Sequence, residues 1–333
     1  MSEALVVGAG ISGIACATAM AEAGVIPVVV DRGRAVGGRM ASRALRDTGT
    51  SFDGRVVDIG ASYFTVSNPE FRAVVDDWVT RGLARSWTDS FHVASSDGVE
   101  AVRTGPVRYA ANGGLRSLIA DSASKLPQVW SSIDVSSVSA DDTSFIVDGE
   151  RRSAVALCMP NAQAHRLLDP SLITDSLETA LTGITYEPVI AVTAVFDEHC
   201  WEDFDGMFVN DDPVITWIAN DGSRRGDDAP VLVAHVNPVL SARHLENPAA
   251  VLPLVLATLR RVLSLTAQPT WVDAHRWTFA KPMTAHLEPF YLDEGRALAL
   301  AGDAWAAGPK VETAWLSGHL LGGALARRLL DSD

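Results

Sequence analysis

The feature that most restricts the fold is Gly8-Ala9-Gly10-Ile11-Ser12-Gly13, three glycines in GxGxxG spacing near the start of the chain. Alone the pattern is common, so its surroundings decide its meaning. Residues 4–7 (Ala-Leu-Val-Val) form a short apolar run, and residues 14–23 are alanine-rich and predict a helix that Gly24 ends. Residues 26–30 are largely β-branched and stop at Asp31. Strand, glycine turn, helix and strand within about thirty residues make a βαβ unit and so a parallel sheet.

In that context each glycine has a task. Gly8 permits the tight turn, Gly10 lets a pyrophosphate approach the backbone, and Gly13 lets helix and strand pack closely. Ile11 and Ser12 open the helix, whose free N–H groups and positive dipole end face the phosphates. Asp31, 18 residues beyond Gly13, can accept from both ribose hydroxyls of an adenosine and would repel a 2′-phosphate. A dinucleotide such as FAD or NAD is therefore expected, not NADP; the plainer alternative is that Asp31 caps a turn. Gly37-Gly38-Arg39-Met40 follows, with Arg32, Arg34, Arg43 and Arg46 around it. Five arginines in fifteen residues of an acidic chain point to a local anion, with Arg39 as a forked pyrophosphate donor.

The formal charge of −14 argues against nucleic-acid binding and against anionic lipid as partners. With 47% hydrophobic residues over 333 positions, a sizeable core and two domains are expected. Cys16, Cys158 and Cys200 show neither paired nor metal-ligand spacing, so reduced thiols and no metal are expected. No secretory leader and no run of about 18 apolar residues is evident, which predicts a soluble cytoplasmic protein.

Further elements follow by pattern. Helices are expected over 71–78, 115–125 and 311–330. Strands are expected over 56–59, 129–138, 143–148, 153–158, 189–196, 231–236 and 297–301. Segment 86–109 alternates as several short antiparallel strands would, and the polar residues 222–230 predict an exposed loop. In the closing helix Gly318, Gly322 and Gly323 each cost about 1 kcal/mol relative to alanine, which close packing would offset. Its start, at Val311, Glu312 and Ala314, would direct N–H groups at the N1–C2 carbonyl edge of a flavin and favour the reduced state.

Several separated motifs resemble the renalase branch of the flavin amine oxidase superfamily, over nearly the whole chain. The GxGxxG turn and Gly37-Gly38-Arg39-Met40 are general. More particular are Asp58-Ile59-Gly60-Ala61-Ser62-Tyr63-Phe64-Thr65, His275-Arg276-Trp277 with Pro282, and Ala301-Gly302-Asp303-Ala304-Trp305 with Val311-Glu312-Thr313-Ala314-Trp315-Leu316-Ser317-Gly318. The resemblance implies an α/β fold: a Rossmann-type FAD-binding domain, like that of p-hydroxybenzoate hydroxylase, with a mixed or antiparallel-sheet substrate domain. The expected division gives 1–70, 105–165 and 290–333 to FAD, and 71–104 and 166–289 to substrate. It implies that Asp303, beside Gly302, binds the ribityl or phosphate region, and that Val135, in a strand, meets the adenine. Gly60, Ala61, Ser62 and Tyr63 would line the flavin, and Arg32 and Pro160 would join the cofactor site. FAD should be held without a covalent bond, because no cysteine follows Cys200 where monoamine oxidases attach theirs. Lys281 is not expected to be catalytic.

The activity the resemblance implies is oxidation of isomeric dihydronicotinamides, carrying hydride at the 2- or 6-position or an α-anomeric linkage, with O2 as acceptor and H2O2 as product. Losing hydride from a dihydropyridine leaves an aromatic pyridinium with no proton to remove, so positioning and a dry pocket matter more than an acid–base pair. Pocket candidates are Tyr63, Trp217, His235, Arg276 and Trp277. Two other readings stay open: an oxidase of CH–NH2 donors, and a flavin-binding redox protein without turnover. No second dinucleotide fingerprint, HExxH, CxxC pair or GxSxG appears.

Overall fold

The computed structural model describes residues 4–95, 98–293, 295–306 and 308–331. Its internal contacts gather into two compact units. The first comprises the chain up to Arg39, Ile119–Thr185 and the chain from Pro282 onward; the second comprises Met40–Leu118 and Tyr186–Lys281.

The first unit is built on a six-stranded sheet. Ala4–Val7 lies between Val28–Asp31 and Ala154–Leu157, parallel to both, with Leu5 opposite Val28 and Val155. Val129–Ser131 extends one side in parallel, Leu298–Leu300 the other, and Tyr291–Leu292 closes that side antiparallel. Ala4–Val7 and Ala154–Leu157 are buried throughout, as strands of a parallel sheet covered on both faces must be. The first helix is Ile11–Glu22, three residues longer at its start than the alanine run predicts, because Gly10 is the N-cap. Gly13 therefore lies inside the first turn, where a Cβ would stand 1.8 Å from the Gly8 carbonyl oxygen.

The closing helix, Val311–Leu330, packs on this first helix. A Cβ on Gly318 would lie 1.9 Å from the Ser12 oxygen and one on Gly322 2.2 Å from the Cys16 oxygen, so two backbones touch there. Gly323 has no such reason, since the nearest atom to its Cβ position is on the Arg327 side chain at 3.7 Å.

Segment 129–138 is not one strand. Ser132 takes a positive φ of 61°, and the next N–H groups leave the ladder: Ser132 donates to the Gly33 oxygen (2.8 Å) and Ile133 to that of Asp31 (2.9 Å). The Asp148 carboxylate then accepts from the backbone N–H of Ser136 and of Ser137. Val135 is accordingly a buried residue of an extended connection and not of a strand, which corrects the sequence expectation. Beyond it, Val138–Ala140, Phe145–Val147 and Glu150–Arg152 form a small antiparallel sheet.

The second unit carries a seven-stranded sheet in the order Trp271–Pro282, Tyr186–Val195, Val231–Val236, Ile215–Asn220, Gly206–Val209, Ala84–Ser95, Gly98–Ala111. Gly206–Val209 runs parallel to Ala84–Ser95, while the other assigned pairs are antiparallel, so the sheet is mixed. Segment 86–109 forms two long paired strands of 12 and 14 residues, not several short ones. A domain boundary at 104/105 would cut the second of these, and the contacts keep all of Met40–Leu118 in one unit. One sheet face packs Ile190, Val192, Ile218 and Leu232 against Val255 and Leu259 of the helix Leu252–Val262. The helix Pro69–Thr80 buries Phe71, Val75 and Trp78 at helical spacing, and Asn68 caps it by accepting from Glu70 and Phe71.

The largest departure is at 222–230. Asp221–Arg225 is a short helix capped by Asn220 and ended by Gly226 in the left-handed region. Asp221 and Arg224 are fully buried, so the expected loop is mostly interior and only 226–228 are exposed. No described helix is long and apolar enough to cross a membrane.

Candidate functional site

In the first unit the GxGxxG turn leaves the start of the first helix open. Its N-cap Gly10 offers no side chain, and Ser12 Oγ is buried without a hydrogen-bond partner among the described residues. Such a buried hydroxyl costs about 1–3 kcal/mol unless a ligand satisfies it. At Gly10 a Cβ would meet only the Gly38 Cα, at 3.8 Å, so the protein itself has no need of glycine there. The space is what a pyrophosphate approaching the backbone requires. An open helix start, an orphaned hydroxyl and a bare glycine together fit the phosphates of a dinucleotide.

Asp31 sits where predicted, at the end of the second strand. One carboxylate oxygen accepts from the Ala9 N–H (2.7 Å), the other from the Gly33 N–H (2.6 Å). The carboxylate thus braces the glycine turn, and with about four acceptor sites it keeps capacity for ribose hydroxyls. Arg39 and Asp303, 264 residues apart in sequence, meet in a two-pronged pair at 2.8 and 2.6 Å. Two residues assigned separately to the cofactor hold each other in place. Beside them the Gly302 N–H donates to the buried Ser317 Oγ at 3.0 Å. Ser317 lies in one of the motifs that carry the resemblance, but nothing in the sequence marks that serine as the brace.

The closing helix begins at Val311 after Lys310, again without side-chain capping, with Glu312 buried in its first turn and Ala314 one turn in. Pro160 precedes the helix Asn161–Leu167 as its N-cap residue. Arg32 is exposed. In the second unit Met40 is buried, and Arg43 pairs with Asp273 at 2.7 Å, so protein carboxylates answer part of the arginine run.

The second unit organises the segment Ile59–Tyr63. Trp277 Nε1 donates to the Ile59 oxygen (2.7 Å), and Trp217 Nε1 to Ser62 Oγ (2.9 Å). His235, directly opposite Trp217 in the neighbouring strand, lies beside the Gly60 backbone, and its Nε2 is buried without a hydrogen-bond partner among the described residues. Burial and the charge of Arg224 push its imidazole down to about 4, so it is neutral at ordinary pH. Tyr63 packs its ring against Phe91 (5.0 Å between centroids), Trp217 (5.6 Å) and Trp87 (6.4 Å). Burial raises the Tyr63 phenol above its usual value, against the pull of Arg108. Phe208, 39% exposed, joins the wall through Phe91 and Trp217.

Four of the five pocket candidates, Tyr63, Trp217, His235 and Trp277, therefore converge on one five-residue segment. Arg276 does not: its exposed guanidinium donates to the Leu245 oxygen and lies near Glu246. Sequence reasoning missed Trp87, Phe91 and Phe208. The four-residue spacing of Trp87 and Phe91 in an alternating strand was a usable signal.

Behind the segment lies an ionic core. Arg224, fully buried, donates to the Ser62 oxygen (3.2 Å) and forks onto Asp221. Arg225 approaches Asp58 (3.0 Å) and donates to the Ala111 oxygen (2.8 Å), and Arg55 pairs with Asp221 (2.9 Å) and Asp227. The neighbouring arginines hold the Asp221 carboxyl low against the opposing effect of its burial. Asp58 also accepts from Ser42 Oγ (2.6 Å) and the Leu115 N–H (2.8 Å), which ties the start of the next helix to this core.

A Rossmann-type sheet with an open phosphate cradle, accompanied by a mixed sheet bearing an aromatic wall, defines a dinucleotide-dependent oxidoreductase. The chain belongs to the flavin containing amine oxidoreductase family, whose model matches residues 102–320, and a NAD(P)-binding Rossmann-like domain matches residues 6–78. Its cofactor is FAD, and it is an FAD-dependent oxidoreductase of the renalase-like type. It is similar to renalase of Mus musculus, 24% identical over 326 residues that cover 89% of this chain and 92% of the relative. In fold it is similar to cyclohexylamine oxidase from Brevibacterium oxydans (TM-score 0.75, 13% identity, 99% of each chain). It is likewise similar to putrescine oxidase solved with putrescine bound (TM-score 0.71, 17% identity, 99% of each chain).

Proposed function

We propose that this chain oxidises isomeric dihydronicotinamide nucleotides, those reduced at the 2- or 6-position or joined through an α-anomeric linkage, with O2 as the final acceptor and H2O2 as product. The similarity to renalase along 89% of the chain carries this reading. FAD, when bound in the cradle, would supply the two-electron redox chemistry, with the hydride from the substrate and one proton from water accounting for the H2O2 formed from O2.

The chain's own residues bind, orient and exclude water. The cradle around Gly10, Ser12 and Asp31 takes the adenosine and pyrophosphate, and the Arg39–Asp303 pair takes the ribityl side. The Tyr63 wall provides a flat apolar surface for a pyridine ring. Neither titratable candidate at that wall offers an acid or base that switches near neutrality. His235 stays neutral above about pH 4, and the Tyr63 phenol titrates above its usual range. A dihydropyridine needs no such group, because hydride departure alone makes it aromatic.

Stopped-flow reduction under anaerobic conditions tests the reading. We expect fast bleaching by 2- or 6-dihydronicotinamide nucleotides, and slow bleaching by 4-dihydro NADH and by alkylamines or catecholamines. The fast rate should be nearly flat between about pH 6 and 9, since neither His235 nor Tyr63 changes charge there. Fast reduction by an amine, rising steeply as the amine deprotonates, would replace this reading with the CH–NH2 oxidase.

A further inference from the structure

Arg108 stands out in the second unit by what surrounds it. Its guanidinium carbon lies 4.3 Å above the Phe91 ring, and Phe91 packs against Tyr63 and Trp217. It is half-buried, and one nitrogen donates to the backbone oxygen of Asp89. Arg43, Arg55, Arg224, Arg225, Arg261 and Arg276 of the same unit each approach a carboxylate within 4 Å. Among the described residues Arg108, like Arg72 and Arg85, has no carboxylate partner, and its guanidinium is the one placed over a ring of the aromatic wall. A guanidinium has five N–H donors, so most of its fork remains for an oxyanion.

The chain carries a formal charge of −14, so a phosphorylated substrate meets general repulsion and gains from a local cation. Phe91, Trp87 and Trp217 are buried; Tyr63 and Phe208 are the accessible part of the wall, with Arg108 one ring beyond Tyr63. A flat ring on Tyr63 joined through a sugar to a phosphate matches that order of surfaces. A fixed grip on a non-reacting phosphate also orients the ring that reacts.

We propose that Arg108 is the specificity-determining residue of this site, taking the 5′-phosphate of the nucleotide substrate in its free fork and so selecting nucleotides over nucleosides. The inference rests on the dihydronicotinamide reading above. The commitment concerns one phosphate and one side chain, and the aromatic wall serves both substrates alike.

Holoenzymes of the wild type, Arg108→Met and Arg108→Lys are compared with 6-dihydronicotinamide mononucleotide and with the corresponding riboside. The wild type should prefer the mononucleotide, and Arg108→Met should cut the ratio of the two kcat/KM values by about 10- to 100-fold. Arg108→Lys should fall between them, keeping the charge but losing the fork. Added salt should slow the mononucleotide reaction of the wild type more than that of Arg108→Met. An unchanged ratio in Arg108→Met, with both substrates oxidised, would overturn this inference and leave the dihydronicotinamide reading standing. Equal loss on both substrates would do the same, by making Arg108 a support of the wall. Wild-type holoenzyme reduced by neither substrate would overturn both.

Discussion

The phosphate cradle of the first unit and the aromatic wall of the second are built on opposite plans. The cradle is local: Gly8 to Gly13 and Asp31 lie within one βαβ unit, and its hydrogen bonds are mostly backbone to backbone or backbone to carboxylate. The wall is assembled from afar, since Tyr63, Phe91, Trp217 and His235 come from strands and segments scattered over 170 residues or more. Its support is a buried ionic core. The cradle depends on the absence of side chains, and the wall on their mutual satisfaction.

The comparison breaks most visibly at two glycines of one motif. Gly13→Ala should unfold the first unit's cradle, because its Cβ would press on the Gly8 oxygen at 1.8 Å. Gly10→Val meets no such wall and should leave a folded apoprotein lacking the flavin band near roughly 450 nm. Absorbance and thermal unfolding of both variants check this, and a fully yellow Gly10→Val protein would remove the pyrophosphate from that position. The second unit answers through charge. Arg224→Met removes the nearest of three arginines around the buried Asp221 and should cost up to about 3–5 kcal/mol in denaturant unfolding, while replacing both partners by apolar residues should cost less. A loss below about 1 kcal/mol would show that Arg55 and Arg225 suffice.

These two regions also differ in how much of them could be read in advance. The cradle was legible because its chemistry is contiguous: a strand, three glycines and an acid at fixed spacing imply their own geometry. The closing helix is legible with its bounds, and of the three glycines that sequence ties to close packing, 318 and 322 touch a neighbouring backbone while 323 does not. The ionic core was hidden for a physical reason. Asp221-Gly222-Ser223-Arg224-Arg225-Gly226 has the composition of a solvated loop, and its partners Arg55, on Asp221, and Asp58, on Arg225, lie more than 160 residues away. Local polarity predicts exposure only when no distant charge answers it. Val135 escapes the strand predicted for it for a similar reason, since Asp148, which captures the N–H groups after it, is invisible to strand propensity.

Smaller effects sharpen the picture. Asp31→Ala should weaken FAD binding by about 1.5–3 kcal/mol, measured by titrating apoprotein, because a charged acceptor is lost from both the turn and the ribose. Unchanged affinity would leave Asp31 as a brace for Ala9 and Gly33 alone. The smallest change is expected at Gly323→Ala, which should stabilise the closing helix by up to about 1 kcal/mol. Gly318→Ala should instead destabilise the first unit strongly, since its Cβ would overlap the Ser12 oxygen. Paired thermal melts decide whether helix propensity or interhelical fit governs each site.

The touching backbones of Ile11–Glu22 and Val311–Leu330 also set a timetable. The ribosome delivers the two partners roughly 300 residues apart, which at about 5–20 residues per second is a wait of some 15–60 seconds. Throughout that interval the bare strip along Ser12 and Cys16 has no mate, and the cradle it borders is without its rear support. Flavin capture is therefore expected to be a late event of biogenesis, one that discriminates between chains carrying the closing helix and chains cut short of it. A nascent chain stalled before residue 311 should emerge colourless, even though every residue of the glycine turn has long been made.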